Sequence, residues 1–235
     1  MNLLLLGEDE IDSTGAARLT GRRHTHAREV LRVQSGQTLR VGVRGGRLGS
    51  ATVVEQTAEG LQLQVTLDHP PPPRARIDLV LAIPRPKALK RVIPAIASLG
   101  VDRVVLVNAT RVEKSYFDSK VLAKAFLDEL VDLGLEQAMD TVAPTIEVRE
   151  RFKPFVEDEL ASWTDAKVRL VPHPTAAQAL RPTTERVVLA IGPDGGWIPY
   201  EVDLLAANGF TPVTIGPRVL RVEVAVPALV GAVRG

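Results

Sequence analysis

Arg186-Val187-Val188-Leu189-Ala190-Ile191 runs directly into Gly192-Pro193-Asp194-Gly195-Gly196-Trp197. A continuous apolar run of this kind belongs to a strand covered on both faces, as in a parallel sheet. The glycines after it let the backbone approach a ligand closely and adopt positive φ. In open α/β sheets, ligands lie outside the carboxyl ends of strands. A second case follows downstream, where Pro212-Val213-Thr214-Ile215 reads as a strand and Gly216-Pro217-Arg218-Val219-Leu220-Arg221 as its loop. Two such loops together suit the walls of one small-cofactor pocket. Read alone, the 192–196 string also fits an ordinary tight turn, the commoner origin of that pattern. It is neither a G-x-G-x-x-G fingerprint nor a Walker A sequence, so dinucleotide and P-loop readings lack support.

Working outward, the pattern alternates strand and helix. Ile77 to Ile83 is strand-like and leads through a basic turn into a helix ending near Gly100. Arg103 to Val107 is the next strand, and Ser119 to Met139 an amphipathic helix weakened by Gly134. Val168 to Val171 is a further strand, and Tyr200 to Asn208 a helix that Gly209 is suited to close. The order predicts an α/β fold with a mostly parallel sheet over residues 74–235.

Upstream the texture is different. Residues 38–43, 51–55 and 61–67 read as short strands, with glycine turns at Gly45-Gly46 and Gly60 and a short helix near Thr25 to Val33. These predict a small β-barrel over residues 1–70. The opening run Leu3 to Leu6 meets Glu8-Asp9-Glu10 at once and has no basic flank, so it reads as a strand rather than a signal peptide. His69-Pro70-Pro71-Pro72-Pro73 is stiff and extended, and marks the boundary between the two domains.

The net charge of +1 conceals a segregation. From Arg18 to Arg47, eight arginines face one acid, and from Arg74 to Arg91 six basic residues face only Asp78. The chain from Val92 onward is net acidic, at −4. A basic front suits a polyanion, and arginine-rich clusters pair bidentately with phosphate; solvated surface charge is the plainer reading. With no cysteine, disulfides, thiolate nucleophiles and cysteine-ligated metals are excluded, and a reducing cytoplasm is expected. No apolar run approaches the roughly 18 residues of a membrane span. His24 and His26 lack a third ligand and are expected at the surface, so no metal is expected. No nucleophile elbow supports a hydrolase.

Ile191 to Trp197, then Glu201, Gly209-Phe210 and Ile215 to Ala225, closely resemble the C-terminal signature of the RsmE family. That signature reads roughly I-G-P-E-G-G-F and then L-G-x-R-I-L-R-T-E-T-A. RsmE proteins belong to the SPOUT class and methylate uridine N3 in 16S ribosomal RNA. His26, Val30-Leu31-Arg32 and Gly36 resemble the family's front-domain pattern, and Ser98-Leu99-Gly100-Val101-Asp102 its E-L-G-V-D. The resemblance implies a PUA-like RNA-binding barrel, followed by an α/β domain tied in a trefoil knot. It also implies S-adenosylmethionine as cofactor, a homodimer, and no metal.

Carried over by position, the cofactor wall is Ile191, Gly192, Gly196, Ile215, Gly216, Val219 and Leu220, with Val171 and Pro172 from the preceding strand. Arg221 and Glu223 are the catalytic candidates. Uridine N3 carries a proton at neutral pH, so a group must accept it or stabilise the anion; a structural ion pair is the plainer role for both. RNA contacts are expected from Arg22, Arg23, His26, Arg28 and Arg32, and from Arg85, Lys87 and Lys90, gripping phosphates in a basic cleft. The chain departs from the pattern at Asp194, where the family has Glu, and at Val222 and Val224, which replace both threonines of R-T-E-T-A. These departures keep two rivals open: an enzyme modifying another RNA site, and a non-catalytic RNA-binding or ribosome-assembly protein. Nicotinamide binding, expected of a dehydrogenase, is disfavoured by the missing fingerprint.

Overall fold

In the computed structural model, which describes residues 2–29 and 32–235, the alternating N-terminal segments form a five-stranded sheet. Its strands are β1 (Leu4–Leu6), β2 (Ala16–Leu19), β3 (Thr38–Val43), β4 (Leu48–Gln56) and β5 (Leu61–His69), in the order β1-β3-β4-β5-β2. β1 runs parallel to β3 and the other pairs are antiparallel. Alternation decides the facing: Leu61, Leu63 and Val65 point into the core while Gln62 and Gln64 stay exposed. Helix α1 (Gly21–Glu29) starts four residues before the expected Thr25, because β2 ends at Leu19 and the chain turns directly into it. That start places His24 and Ala27, three apart, on its inner face. The surface position expected for His24 is therefore corrected to a buried one. Val30 and Leu31, part of the front-domain pattern, lie outside the described residues.

The chain divides into two compact units, one comprising the residues up to Pro73 together with Asp132–Ala143. The later segment was expected with the second domain. It joins the first through hydrogen bonds: the Glu136 carbonyl accepts the amides of Asn2 and Leu3 at 3.2 and 3.1 Å. The Thr141 hydroxyl donates to the Gly46 carbonyl at 2.6 Å, and Arg44 pairs with Asp132.

The other unit, Arg74–Val131 and Pro144–Gly235, carries a six-stranded sheet. Its elements are β6 (Ile77–Ala82), α2 (Pro86–Ser98), β7 (Arg103–Val107), α3 (Lys124–Ala138, in which the unit boundary falls) and β8 (Thr145–Arg149). They continue with α4 (Phe152–Pro154), a π turn, α5 (Leu160–Trp163), β9 (Val168–Pro172), β10 (Val187–Ile191), α6 (Pro199–Ala207), β11 (Thr211–Val213) and α7 (Val222–Arg234). Strand order is β11-β9-β10-β6-β7-β8, and every pair is parallel. β6 and β10 are central and buried throughout, as their apolar runs require.

Pro86 opens α2 at its first turn, where no amide hydrogen is needed. Ala88, Leu89, Val92, Ile93 and Ile96 form its buried stripe, and the helix packs against α7. α3 begins at Lys124 rather than Ser119, because Ser119 caps a separate 3-10 turn over Lys120–Leu122. Met139, at φ 56, ends the helical path. β2, β8, α4, α5 and α7 were not anticipated. α7 carries Pro227 inside it, which disguises a helix whose apolar positions otherwise recur at helical spacing.

Candidate functional site

Three loops leave the carboxyl ends of β9, β10 and β11 and enclose a cavity of about 360 Å³. The loop after β10 is shaped by its glycines. A Cβ added at Gly192 would lie 2.9 Å from the Trp197 amide nitrogen, so the turn closes only around a hydrogen. The Gly196 amide donates to the Pro193 carbonyl at 2.7 Å, and Gly196 sits at φ 73, where a side chain is strained. Trp197 pins the end of the turn: it is buried, its indole N–H donates to the Ala190 carbonyl at 3.2 Å, and its ring lies 4.9 Å from Phe152.

After β11, the Thr214 hydroxyl accepts the Gly216 amide at 3.0 Å and donates to the Gly216 carbonyl at 2.9 Å. After β9, the His173 amide donates to the Val213 carbonyl at 2.8 Å, and His173 Nδ1 lies 2.9 Å from the Thr175 hydroxyl. His173 thus closes a turn and also lines the cavity. The first turns of α7 complete the wall with Val222, Ala225 and Leu229. Among the described lining residues, Arg218 is the one cation and Asp194 the one carboxylate. Glycine backbone and apolar side chains make up most of the rest, a composition suited to a small organic cofactor.

Eight of the nine expected cofactor residues line this cavity: Pro172, Ile191, Gly192, Gly196, Ile215, Gly216, Val219 and Leu220. Val171 does not; it is fully buried in β9, behind the wall. Ile215, Val219 and Leu220 keep exposed surface, Val219 to 82%. Sequence reasoning missed Trp197, Val222, Ala225 and Leu229. The 222, 225, 229 spacing was the available signal for the last three, since it marks one helix face.

Arg221 is the exposed N-cap residue of α7, and Glu223 sits in that helix's first turn beside the lining residue Val222. Neither lines the cavity. Glu223 Oε1 lies 3.9 Å from both Arg85 and Arg91, and its Oε2 is buried without a hydrogen-bond partner. Tyr116, after β7, donates its hydroxyl to Glu113 at 3.1 Å. Partial burial, then that carboxylate, pushes the phenol above its ordinary pKa.

The expected RNA-contact residues have varied surroundings. Arg85 is the N-cap residue of α2, Lys87 is exposed, and Lys90 lies 5.2 Å above the Phe126 ring. In the other unit, Arg23 is committed internally, to the Leu5 carbonyl at 2.5 Å and to the Glu10 carboxylate. Arg22 lies 3.6 Å from Glu136, and Arg28 pairs with Glu29 at 2.8 Å. Arg32 is exposed at φ 51, and His26 Nε2 is buried without a partner.

The class of protein follows from a family model, the RNA methyltransferase domain, which matches residues 70–234. The ribosomal RNA small subunit methyltransferase E of Treponema pallidum is 32% identical, across 96% of this chain and 87% of that protein. Its counterpart in Mycobacterium bovis is 28% identical, across 99% and 92% respectively. The chain belongs to the RsmE family of SPOUT RNA methyltransferases. The fold agrees: the Neisseria gonorrhoeae ribosomal RNA small subunit methyltransferase E, solved with S-adenosyl methionine, superposes with a TM-score of 0.78. It is 22% identical, with 99% of this chain and 96% of that chain covered.

Proposed function

We propose that this protein transfers a methyl group from S-adenosylmethionine to N3 of a uridine in 16S ribosomal RNA. One observation carries the reading: eight of the nine residues that the family pattern assigns to the cofactor converge on one cavity outside parallel strand ends. The cavity suits the cofactor chemically. Its glycine loop is folded so tightly that a Cβ at Gly192 would collide with the Trp197 amide, its apolar wall suits an adenosine, and Asp194 and Arg218 offer one charge of each sign to a zwitterionic tail.

Bound there, the cofactor supplies a sulfonium methyl for in-line displacement, so alignment contributes much of the rate. The chain's own task is the base. Glu223 accepts the N3 proton or anchors the pocket, and Arg221 stabilises negative charge on the base carbonyl. Lys87, Arg85 and Lys90 of the parallel unit bind phosphates, and so do Arg22, Arg28 and Arg32 of the N-terminal unit. In this reading the N-terminal mixed sheet is a PUA-like RNA-binding barrel, and the parallel unit is trefoil-knotted. Two copies pair over the exposed apolar residues Ile215, Val219, Leu220 and Val224, which support an interface. The cysteine-free chain acts in the cytoplasm. Among the described residues, no helix is long and apolar enough to cross a membrane.

Calorimetric titration with S-adenosylmethionine and S-adenosylhomocysteine tests the cofactor. Nucleoside mass spectrometry of undermethylated small subunits, incubated with protein and cofactor, tests the product. Saturable binding and new N3-methyluridine are expected. Absence of binding by the folded protein, with or without ribosomal subunits, replaces this reading with the non-catalytic RNA-binding one.

A further inference from the structure

We propose that the loop after β7 is a working part of the cofactor site although it contributes no lining residue, and that Glu201 and Arg111 are its positioning residues. The inference rests on the reading that S-adenosylmethionine occupies the cavity.

β7 and β10 are not neighbours, since β6 lies between them. Yet their following loops are joined at two places one residue apart. Glu201 is the third residue of α6, a position whose carboxylate commonly turns back to the helix start. Its Oε2 does so, accepting the Ile198 amide at 2.9 Å. Its Oε1 accepts the amide of Thr110 at 2.8 Å, and the side chain is buried to 2% exposure rather than solvated. Next to Thr110, Arg111 donates to the Gly195 carbonyl. Its alkyl arm lies against that glycine, where an added Cβ would come within 3.0 Å of Arg111 Cδ.

Gly195 and Gly196 line the cavity, and the segment from Gly195 to Glu201 is therefore held at both ends by one dipeptide. The dipeptide is itself fixed to the sheet. The Asn108 amide donates to the Arg149 carbonyl at 3.1 Å, the Val112 amide to the Ala109 carbonyl at 2.9 Å, and Ala109 is buried. A glycine-rich loop loses more backbone freedom on ordering than any other. Holding it before the ligand arrives removes that cost from binding. The brace therefore acts on cofactor affinity through Gly195 to Trp197, without touching the cofactor.

The test uses the full-length protein and the variants Arg111→Ala, Arg111→Lys and Glu201→Gln. Four quantities are read: Kd for S-adenosylmethionine, unfolding midpoint, KM for undermethylated small subunits, and amide hydrogen exchange over residues 193–198. Arg111→Ala is expected to weaken cofactor binding by roughly tenfold and to speed exchange in that loop. Its unfolding midpoint and KM for RNA stay at wild-type values. Arg111→Lys, which keeps the alkyl arm and a cationic donor, recovers part of the affinity. Glu201→Gln turns an NH₂ toward one amide and moves in the same direction; should it fail to fold, Arg111→Ala decides. Unchanged exchange in Arg111→Ala overturns the brace whatever binds the cavity. So does wild-type cofactor affinity, or a loss confined to KM for RNA. Failure of the wild-type protein itself to bind S-adenosylmethionine sinks the cofactor reading instead, and leaves the exchange measurement to judge the brace.

Discussion

Arg186 grips Asp78 with two nitrogens, Nη2 to Oδ1 at 2.8 Å and Nε to Oδ2 at 3.1 Å, inside a strand buried on both faces. The Thr164 hydroxyl donates to the same carboxylate at 2.5 Å, which leaves Asp78 satisfied although it is wholly inaccessible. Such a pair stabilises little relative to an apolar substitute, but breaking it strands a buried charge. Arg186→Met is therefore expected to cost about 3 kcal/mol of stability, measured by urea unfolding at unchanged m value. A loss below about 1 kcal/mol would place the pair among exposed ones.

Gly192→Val tests the cradle. The new Cβ would collide with the Trp197 amide, and the loop must shift to admit it. Overpacking of this size costs about 1–3 kcal/mol of stability, which the unit can absorb. Binding of S-adenosylmethionine, which needs the loop in place, is expected to fall at least tenfold, or about 1.4 kcal/mol. Calorimetry showing wild-type affinity would remove this glycine from the site.

Two carboxylates of the N-terminal unit predict opposite pH behaviour. Burial raises the pKa of Glu10, but hydrogen bonds from Arg23 and the Gly7 amide outweigh it and hold the carboxyl below its usual 4.5. The stability it contributes is present above that value and is lost as pH falls through the depressed one. Burial pushes Glu136 above 4.5, against the opposing pull of Arg22 and Arg23. Its ionised form therefore weakens the fold above the raised value, and the penalty vanishes as pH falls through it. Thermal unfolding between about pH 3 and 8 should show Glu10→Gln lowering the midpoint at neutral pH and Glu136→Gln raising it. Both differences should close in acid. Equal and pH-independent shifts would contradict both assignments.

The basic start of α2 predicts a salt signature. Lys87→Ala and Arg91→Ala should each weaken RNA binding and reduce the slope of log K against log salt by about one. Affinity for S-adenosylmethionine should not change in Lys87→Ala, whose exposed side chain is outside the cavity wall. A slope equal to that of the wild type would exclude phosphate contact by these residues.

The parts of the site legible in the sequence are local ones. Ile191 to Trp197 and Ile215 to Leu220 could be read as strand-end loops because consecutive residues carry the signal: apolar runs, then glycines where a Cβ would clash or strain. The resemblance of the same residues to the RsmE signature worked for the same reason. Val222, Ala225 and Leu229 were obscured by Pro227, which breaks the helical pattern to the eye but not in the chain. Trp197 read as the end of a motif, although its indole pins the loop to β10.

From its own order of residues, the chain determined a parallel α/β unit after a proline run, glycine loops at strand ends, and membership of a methyltransferase family. Each of these depends on neighbours a few positions apart, where backbone geometry and apolar periodicity act directly. Only the tertiary structure decided that 132–143 joins the first unit, that His24 turns inward, and that Val171 stands behind the cavity wall. It alone paired Glu201 with Thr110, ninety-one residues apart. No local preference specifies such partners: a carboxylate at the third position of a helix is equally content in water, and burial selects one amide for it only when two distant loops meet.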